Sequence, residues 1–264
     1  MLDLSPMNVS LIPIDKANLE SYIDLFQHCF PASNMTKNYI EWLYFQNPMG
    51  NVIGFDSVVE DQIVSHYACI PISVCGQRGL LSLNTATRDK FRSKGLFKTA
   101  ALRTIKVAQQ DYSFIVGVAN NSSTNIFVNK LGFEKLGSLE LRFGRVDHSS
   151  QSSVDWNEDS ILWRLSKPGR KYVVKKLDKA TMLISTKLSG TPFIINTMVS
   201  TEGESESAKD SWAWRLTLDW QINKNPIIKL PKFAKPSPLN LVIRHLKSPN
   251  IKLKSWSFLD FDIF

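Results

Sequence analysis

The chain of 264 residues is poor in the features that mark special classes of protein. It has three cysteines, Cys29, Cys69 and Cys75, with no Cys-x-x-Cys pair and an odd thiol under any pairing scheme. That excludes a disulfide scaffold and fits structural thiols in a reducing compartment. The four histidines, His28, His66, His148 and His245, stand singly, so no metal-ligand spacing appears and no metal is expected. No apolar run approaches the roughly 18 residues that a membrane span needs, and the N-terminus lacks the basic-then-apolar order of a secretory signal. The expected location is the cytoplasm. With 43% hydrophobic and 21% charged residues, the composition is that of a globular protein, which excludes disordered, collagenous and coiled-coil chains. The length leaves room for one large or two small domains.

Positive charge is present in excess, but unevenly. The chain carries 32 Lys and Arg against 24 Asp and Glu, a net charge of +8. Residues 1–150 hold 14 basic and 13 acidic residues, so residues 151–264 hold nearly all of the excess, +7. Such a charge suits nucleic acid, an anionic surface or a polyanionic ligand. No nucleic-acid-binding motif accompanies it, and nucleic acid is not expected as a partner. Lys229, Lys232, Lys235, Arg244, Lys247, Lys252 and Lys254 read either as a solvated face or as a field for an anionic acceptor. Trp212, Trp214, Trp220 and Trp256 read as core or as stacking surfaces for sugar rings.

The segment DHSSQSSVD, residues 147–155, has the polar composition of a linker and sets a boundary between residues 1–146 and 156–264. A second polar stretch, residues 200–211, reads as a surface loop. In the first half, helical spacing predicts helices over 16–30 and 36–46, and Asn47-Pro48-Met49-Gly50 stops the second. Strands are predicted over 55–60 and 63–70, forming a hairpin around Asp61-Gln62, and over 79–87. A helix over 95–110, an apolar strand over 113–119, a short helix over 124–131 and a closing strand over 138–146 complete a mixed sheet flanked by helices. The second half carries an echo of the first. Trp163 to Pro168 followed by Gly169 resembles Trp42 to Pro48 followed by Gly50, and each leads to a hairpin pattern, which reads as a degenerate repeat or as coincidence.

The segment that bears chemistry is LNTATRDKFRSKGLFKTAA, residues 83–101. A strand runs into the basic turn Arg92-Ser93-Lys94-Gly95 and straight into a helix, whose start offers unpaired N–H groups and the positive end of the helix dipole. That combination binds phosphate. The segment resembles the pyrophosphate-binding motif of the GCN5-related N-acetyltransferases, in which Arg or Gln, two residues and Gly are followed by one residue and a further Gly or Ala. Arg92 and Gly95 match, and Phe97 departs. Asn120 and Lys130-Leu131-Gly132-Phe133 resemble the second signature of the family, in the expected order.

The resemblance implies a mixed α/β acyltransferase fold of that family over residues 1–146; residues 156–264, whether a degenerate repeat of that fold or an unrelated α/β half, are expected to help shape an acceptor site. It implies acetyl-CoA as co-substrate. The backbone of Thr85, Ala86 and Thr87 would pair with the pantetheine arm. Backbone groups of Ser93, Lys94, Gly95, Leu96, Phe97 and Lys98, with the charges of Arg92, Lys94 and Lys98, would cradle the pyrophosphate, and Asn120 and Phe127 would complete the cofactor site. The expected reaction is acetyl transfer to a primary amine. Trp42 with Asn47-Pro48, SLNTAT, GVANN and the aromatic, acidic C-terminus resemble the acetyltransferases of bacterial surface-polysaccharide gene clusters. This implies an amino sugar linked to a nucleotide or lipid phosphate as the acceptor.

The usual tyrosine acid of the family falls on Val128, so the proton donor is unassigned. This departure keeps a non-catalytic binding module open as one alternative; the other is an acetyltransferase acting on another small amine or a protein amine. His66 is the candidate base, or else a hydrogen-bonded strand histidine. Asn84 is the candidate for orienting the acceptor, or else closes a sheet hydrogen bond. Glu41, Glu60 and Tyr67 are lesser candidates.

Overall fold

In a computed structural model of the chain, residues 8–33, 35–145, 152–201, 214–221, 228–229 and 238–261 are described below. Residues 147–151 of the expected linker and most of the 200–211 loop lie outside them, as do Trp212, Lys232 and Lys235. The chain forms two compact units, Met1–Pro71 with Ser82–Asp111, and Ile72–Leu81 with Tyr112–Phe264.

The first unit contains β1 (Ser10–Pro13), α1 (Leu19–Cys29), α2 (Lys37–Phe45), β2 (Ile53–Val59), most of β3 (Gln62–Val74), the end of β4 (Gln77–Thr87) and α3 (Leu96–Ala108). Its strand order is β1-β2-β3-β4. The turn between β2 and β3 falls on Glu60 and Asp61, both at positive φ (48° and 61°), as a two-residue hairpin requires. β3 runs past Pro71 although the sequence predicted its end at Ile70. The proline is tolerated because β2 has already ended, with Ile53 opposite Cys69, so no ladder donor is missing on that side.

Register decides which side chains share a face. Asp56 lies directly opposite His66, while Phe55 opposite Tyr67 and Ser57 opposite Ser65 belong to the other face. On the Asp56 face, Leu19, Tyr22, Leu25 and Phe26 of α1 recur at helical spacing and are buried, as are Ile40, Leu43 and Tyr44 of α2. On the other face lies α3: the Phe97 ring meets Tyr67 at 5.6 Å, the Ser57 hydroxyl donates to the Leu96 carbonyl, and the Arg103 guanidinium stands 5.4 Å from the Phe55 ring centroid.

The second unit holds the turn of the β3–β4 hairpin, β5 (Phe114–Ala119), α4 (Asn121–Leu131), β6 (Glu134–Ser138), β7 (Glu140–Arg145), α5 (Glu158–Leu165), β8 (Tyr172–Lys176), β9 (Thr181–Lys187), β10 (Ile194–Ser200), β11 (Trp214–Gln221), β12 (Ile228–Lys229), β13 (Asn240–His245) and β14 (Ser255–Ser257). Its strands run β4-β5-β13-β6, β10-β9-β8 and β12-β7-β11-β14. The single closing strand expected over 138–146 is two, β6 and β7, separated at Leu139. A side chain reached from far along the chain ties this region together. The Asn240 amide donates to Asn121 and Thr124 at the start of α4, while its oxygen accepts from the Ser138 hydroxyl at 2.7 Å. Gly79 is required by a close approach, since a Cβ there would lie 2.1 Å from the Phe114 ring. α5, the turn at Gly169 and the β8–β9 hairpin follow the same order as α2, the turn at Gly50 and the β2–β3 hairpin.

One face of the β7-β11-β14 sheet is polar yet buried. Arg142 lies opposite Thr217, Asp219 opposite Ser257, and Gln221 opposite Ser255. The reverse face carries Leu141, Leu218, half-buried Trp220 and fully buried Trp256, so two of the sequence-marked tryptophans pack into the sheet. Trp214 is exposed beside Phe143, with ring centroids 5.4 Å apart. Of the basic residues marked from sequence, Arg244 donates to the Leu131 carbonyl, and Lys252 is exposed.

Candidate functional site

The basic turn forms as the sequence predicts. After β4 a short 3-10 turn, Asp89–Phe91, leads to Ser93 at φ 61° and Gly95 at φ 79°. Gly95 is the N-cap of α3 and no side chain caps the helix. The Thr99 N–H donates to the Gly95 carbonyl at 3.0 Å, so the N–H groups ahead of Thr99 fall in the turn that has no carbonyl partner within a helix. A Cβ placed on Gly95 would meet no heavy atom within 4 Å, so the space over the helix start is open. Leu96 is buried with Val59 and Val64 and anchors the turn.

The cations around this opening are exposed. Lys94 lies 5.4 Å from the Phe91 ring centroid, and Lys98 is exposed. Arg92 donates from Nε to the Thr87 carbonyl and pairs with Asp89 at 2.8 Å, with more than half of its side chain exposed. Upstream, Ala86 is buried and its carbonyl accepts from the Ser65 hydroxyl, which also lies 2.8 Å from the Thr87 hydroxyl. Thr85 and Thr87 are half-buried. Asn120 and Phe127 belong to the second unit. Asn120 caps α4, accepting from the Ser123 N–H at 2.9 Å, and Phe127 is buried edge-on against Phe133 at 4.9 Å. Val128, on the same helix, is half-buried.

His66 is a hydrogen-bonded strand histidine. It is fully buried, and both ring nitrogens are engaged: Nδ1 lies 2.6 Å from Asp56 Oδ1 and Nε2 lies 2.8 Å from the Tyr44 hydroxyl. The ring packs against Tyr22 at 5.1 Å, Phe26 at 5.2 Å and, stacked, Tyr44 at 5.8 Å. The chain of contacts continues outward, because Asn84 Nδ2 donates to the Tyr44 hydroxyl at 3.3 Å. Asn84 is half-buried and holds φ 48° within β4, a left-handed conformation that asparagine tolerates better than most residues. The two residues singled out from sequence, His66 and Asn84, are thus joined through Tyr44. The Tyr44 phenol is held well above its ordinary range by burial, so it keeps its proton and serves as an O–H donor.

Sequence reasoning missed Tyr44 and Asp56. Tyr44 is hidden among five buried residues of α2. Asp56 left a signal, as a carboxylate inside the largely apolar strand that pairs with the strand of His66. The lesser candidates have other tasks: Glu41 pairs with Lys16, Glu60 forms the hairpin turn, and Tyr67 is buried on the α3 face. Among the described residues no group of three or more His, Cys, Asp or Glu could hold a metal, and no helix is long and apolar enough to cross a membrane.

No protein-family model and no curated protein matches the chain. Solved structures do. A GCN5-related N-acetyltransferase from Anabaena variabilis ATCC 29413 superposes with a TM-score of 0.62 at 13% identity, covering 91% of this chain and 73% of the other. A conserved protein of unknown function from Enterococcus faecalis V583, described as a "Probable N-Acyltransferase", gives a TM-score of 0.61 at 11% identity over 90% of this chain and 73% of the other. The fold is the mixed α/β fold of the GCN5-related N-acetyltransferases.

Proposed function

We propose that the protein transfers an acetyl group from acetyl-CoA to a primary amine. The observation that carries this reading is the start of α3, which no side chain caps, with an open Gly95 and the exposed cations Arg92, Lys94 and Lys98 around it. In a fold used for acetyl transfer, these residues fit the pyrophosphate of CoA: backbone N–H groups and the helix dipole face the phosphates, and the lysines supply charge. The backbone of Thr85–Thr87 is the pairing edge for the pantetheine amides. When bound, acetyl-CoA supplies a thioester carbonyl open to attack by an amine. Asn84 orients that amine. His66, sealed behind Tyr44, acts on it only through that residue.

The acceptor in this reading is an amino sugar carrying a nucleotide or lipid phosphate, in keeping with the +7 charge of residues 151–264. An amine of ordinary pKa near 8 loses its proton without a strong base, and a thiol of pKa about 8.5 leaves without a strong acid. The lack of a tyrosine at position 128 therefore suits a weakly basic amine better than a lysine side chain. Release of free thiol from acetyl-CoA, measured with a nucleotide-linked amino sugar, glucosamine and a lysine peptide, tests the function. Turnover is expected with the nucleotide-linked sugar. Binding of acetyl-CoA without turnover on any amine would support the binding-module alternative.

A further inference from the structure

We infer that Asp56, acting through His66 and Tyr44, fixes the side-chain amide of Asn84 with its carbonyl oxygen outward, so that Asn84 accepts a hydrogen bond from the N–H of the acceptor amine. The inference takes its catalytic readout from the acetyl-transfer reading, but its geometry stands apart from it. Ionised Asp56 is an acceptor only, so the 2.6 Å contact requires a proton on His66 Nδ1. A ring protonated on Nδ1 alone has a lone pair on Nε2, which takes the Tyr44 O–H at 2.8 Å. With its proton committed inward, the Tyr44 oxygen accepts from outside, and Asn84 Nδ2 donates to it at 3.3 Å. Each group is used in one sense, and the amide nitrogen of Asn84 is turned inward.

Its Oδ1 has no partner among the described residues, and it is absent from the buried side-chain atoms that lack one. The oxygen is therefore left for a ligand. Asp56, His66 and Tyr44 are fully buried, so they act as positioning residues and do not touch the acceptor. If the ring carried two protons, or carried one on Nε2, the Tyr44 proton would turn outward. The amide would then have to turn over and present N–H groups, which repel an amine N–H.

The test uses the full chain without ligand. Nitrogen-15 NMR of the histidine rings at neutral pH is expected to show His66 protonated on Nδ1 alone, with Asp56→Asn moving the proton to Nε2. A doubly protonated or Nε2-protonated ring in the wild type, or an unchanged ring in a folded Asp56→Asn variant, overturns the inference. If Asp56→Asn does not fold, the ring of Tyr44→Phe is expected to keep its proton on Nδ1, because Asp56 still accepts it, and a proton found on Nε2 overturns the inference. Asn84→Ala and Tyr44→Phe are each expected to lower kcat/KM about tenfold, the worth of one hydrogen bond to a charged or reacting group, with acetyl-CoA affinity unchanged. The double variant is expected to be no worse than Asn84→Ala alone, because both act at one amide. Effects that multiply would overturn the inference. An Nδ1-protonated ring in a wild type that turns over no amine would instead remove the acetyl-transfer reading while leaving the orientation of Asn84 in place.

Discussion

Replacing Arg142 by Met would expose the cost of the polar buried face in the second unit. Arg142 Nε stands 3.3 Å from Asp219 Oδ1, both residues are buried to within a few per cent, and the contact is not an aligned hydrogen bond. The pair is therefore held by charge alone. Burial pushes the Asp219 carboxyl above its ordinary 3.8, and the guanidinium pulls it back. Removing the cation strands a buried carboxylate, which costs about 3 kcal/mol, the lower end for breaking a buried pair. At about 2–4 °C per kcal/mol for a chain of this size, the melting temperature should fall by about 6–12 °C.

The sign of the pH dependence follows from linkage. A carboxyl whose folded pKa is raised binds more protons in the folded state, so stability declines as pH rises through the window from 3.8 up to the folded value. In Arg142→Met that window widens upward, and each added unit is worth about 1.4 kcal/mol. The variant should thus regain stability relative to wild type as pH falls from 7 toward 4. Arg142→Met/Asp219→Leu, which removes both charges, should be near neutral. The assay is thermal and denaturant unfolding of the three proteins across that range. A double variant as unstable as the single one, or a deficit in Arg142→Met that does not shrink in acid, would refute the reasoning.

Three further outcomes follow from geometry. Gly79→Ala should destabilise by about 1–3 kcal/mol in denaturant unfolding, since its Cβ would sit 2.1 Å from the Phe114 ring. Asn120→Ala should cost about 1 kcal/mol through loss of the α4 cap, and Asn120→Ser should recover most of it in the same measurement. Alkylation of the native protein at pH 8, read by mass spectrometry, should modify exposed Cys75 first. Buried Cys69, with its thiol pushed up to about 12, should react only on unfolding.

The parts of the fold that local pattern determines were legible in the sequence. The spacing of Leu19, Tyr22 and Phe26 marked α1, and SFIVGVA marked a strand. Gly95 marked the start of α3. What escaped depended on partners distant in sequence. β13 joins β5 and β6 from more than a hundred residues away. β6, with the half-exposed sequence EKLGS, has too weak an alternation to announce itself. The same divide runs through the candidate site. Arg92–Lys98 could be read as a contiguous motif, whereas the Asp56–His66 pair required the β2–β3 register and Tyr44 required the packing of α2 on that sheet.

Calorimetric titration with acetyl-CoA tests the central claim most directly, comparing wild type with Gly95→Asp. The new carboxylate would stand at the open start of α3, where space for its Cβ is free, so the fold should survive with only the strain of a left-handed residue, about 1–2 kcal/mol. The account predicts binding by the wild type and affinity reduced at least tenfold in a folded Gly95→Asp. Absence of binding by the wild type, or equal affinity in the two proteins, would contradict it.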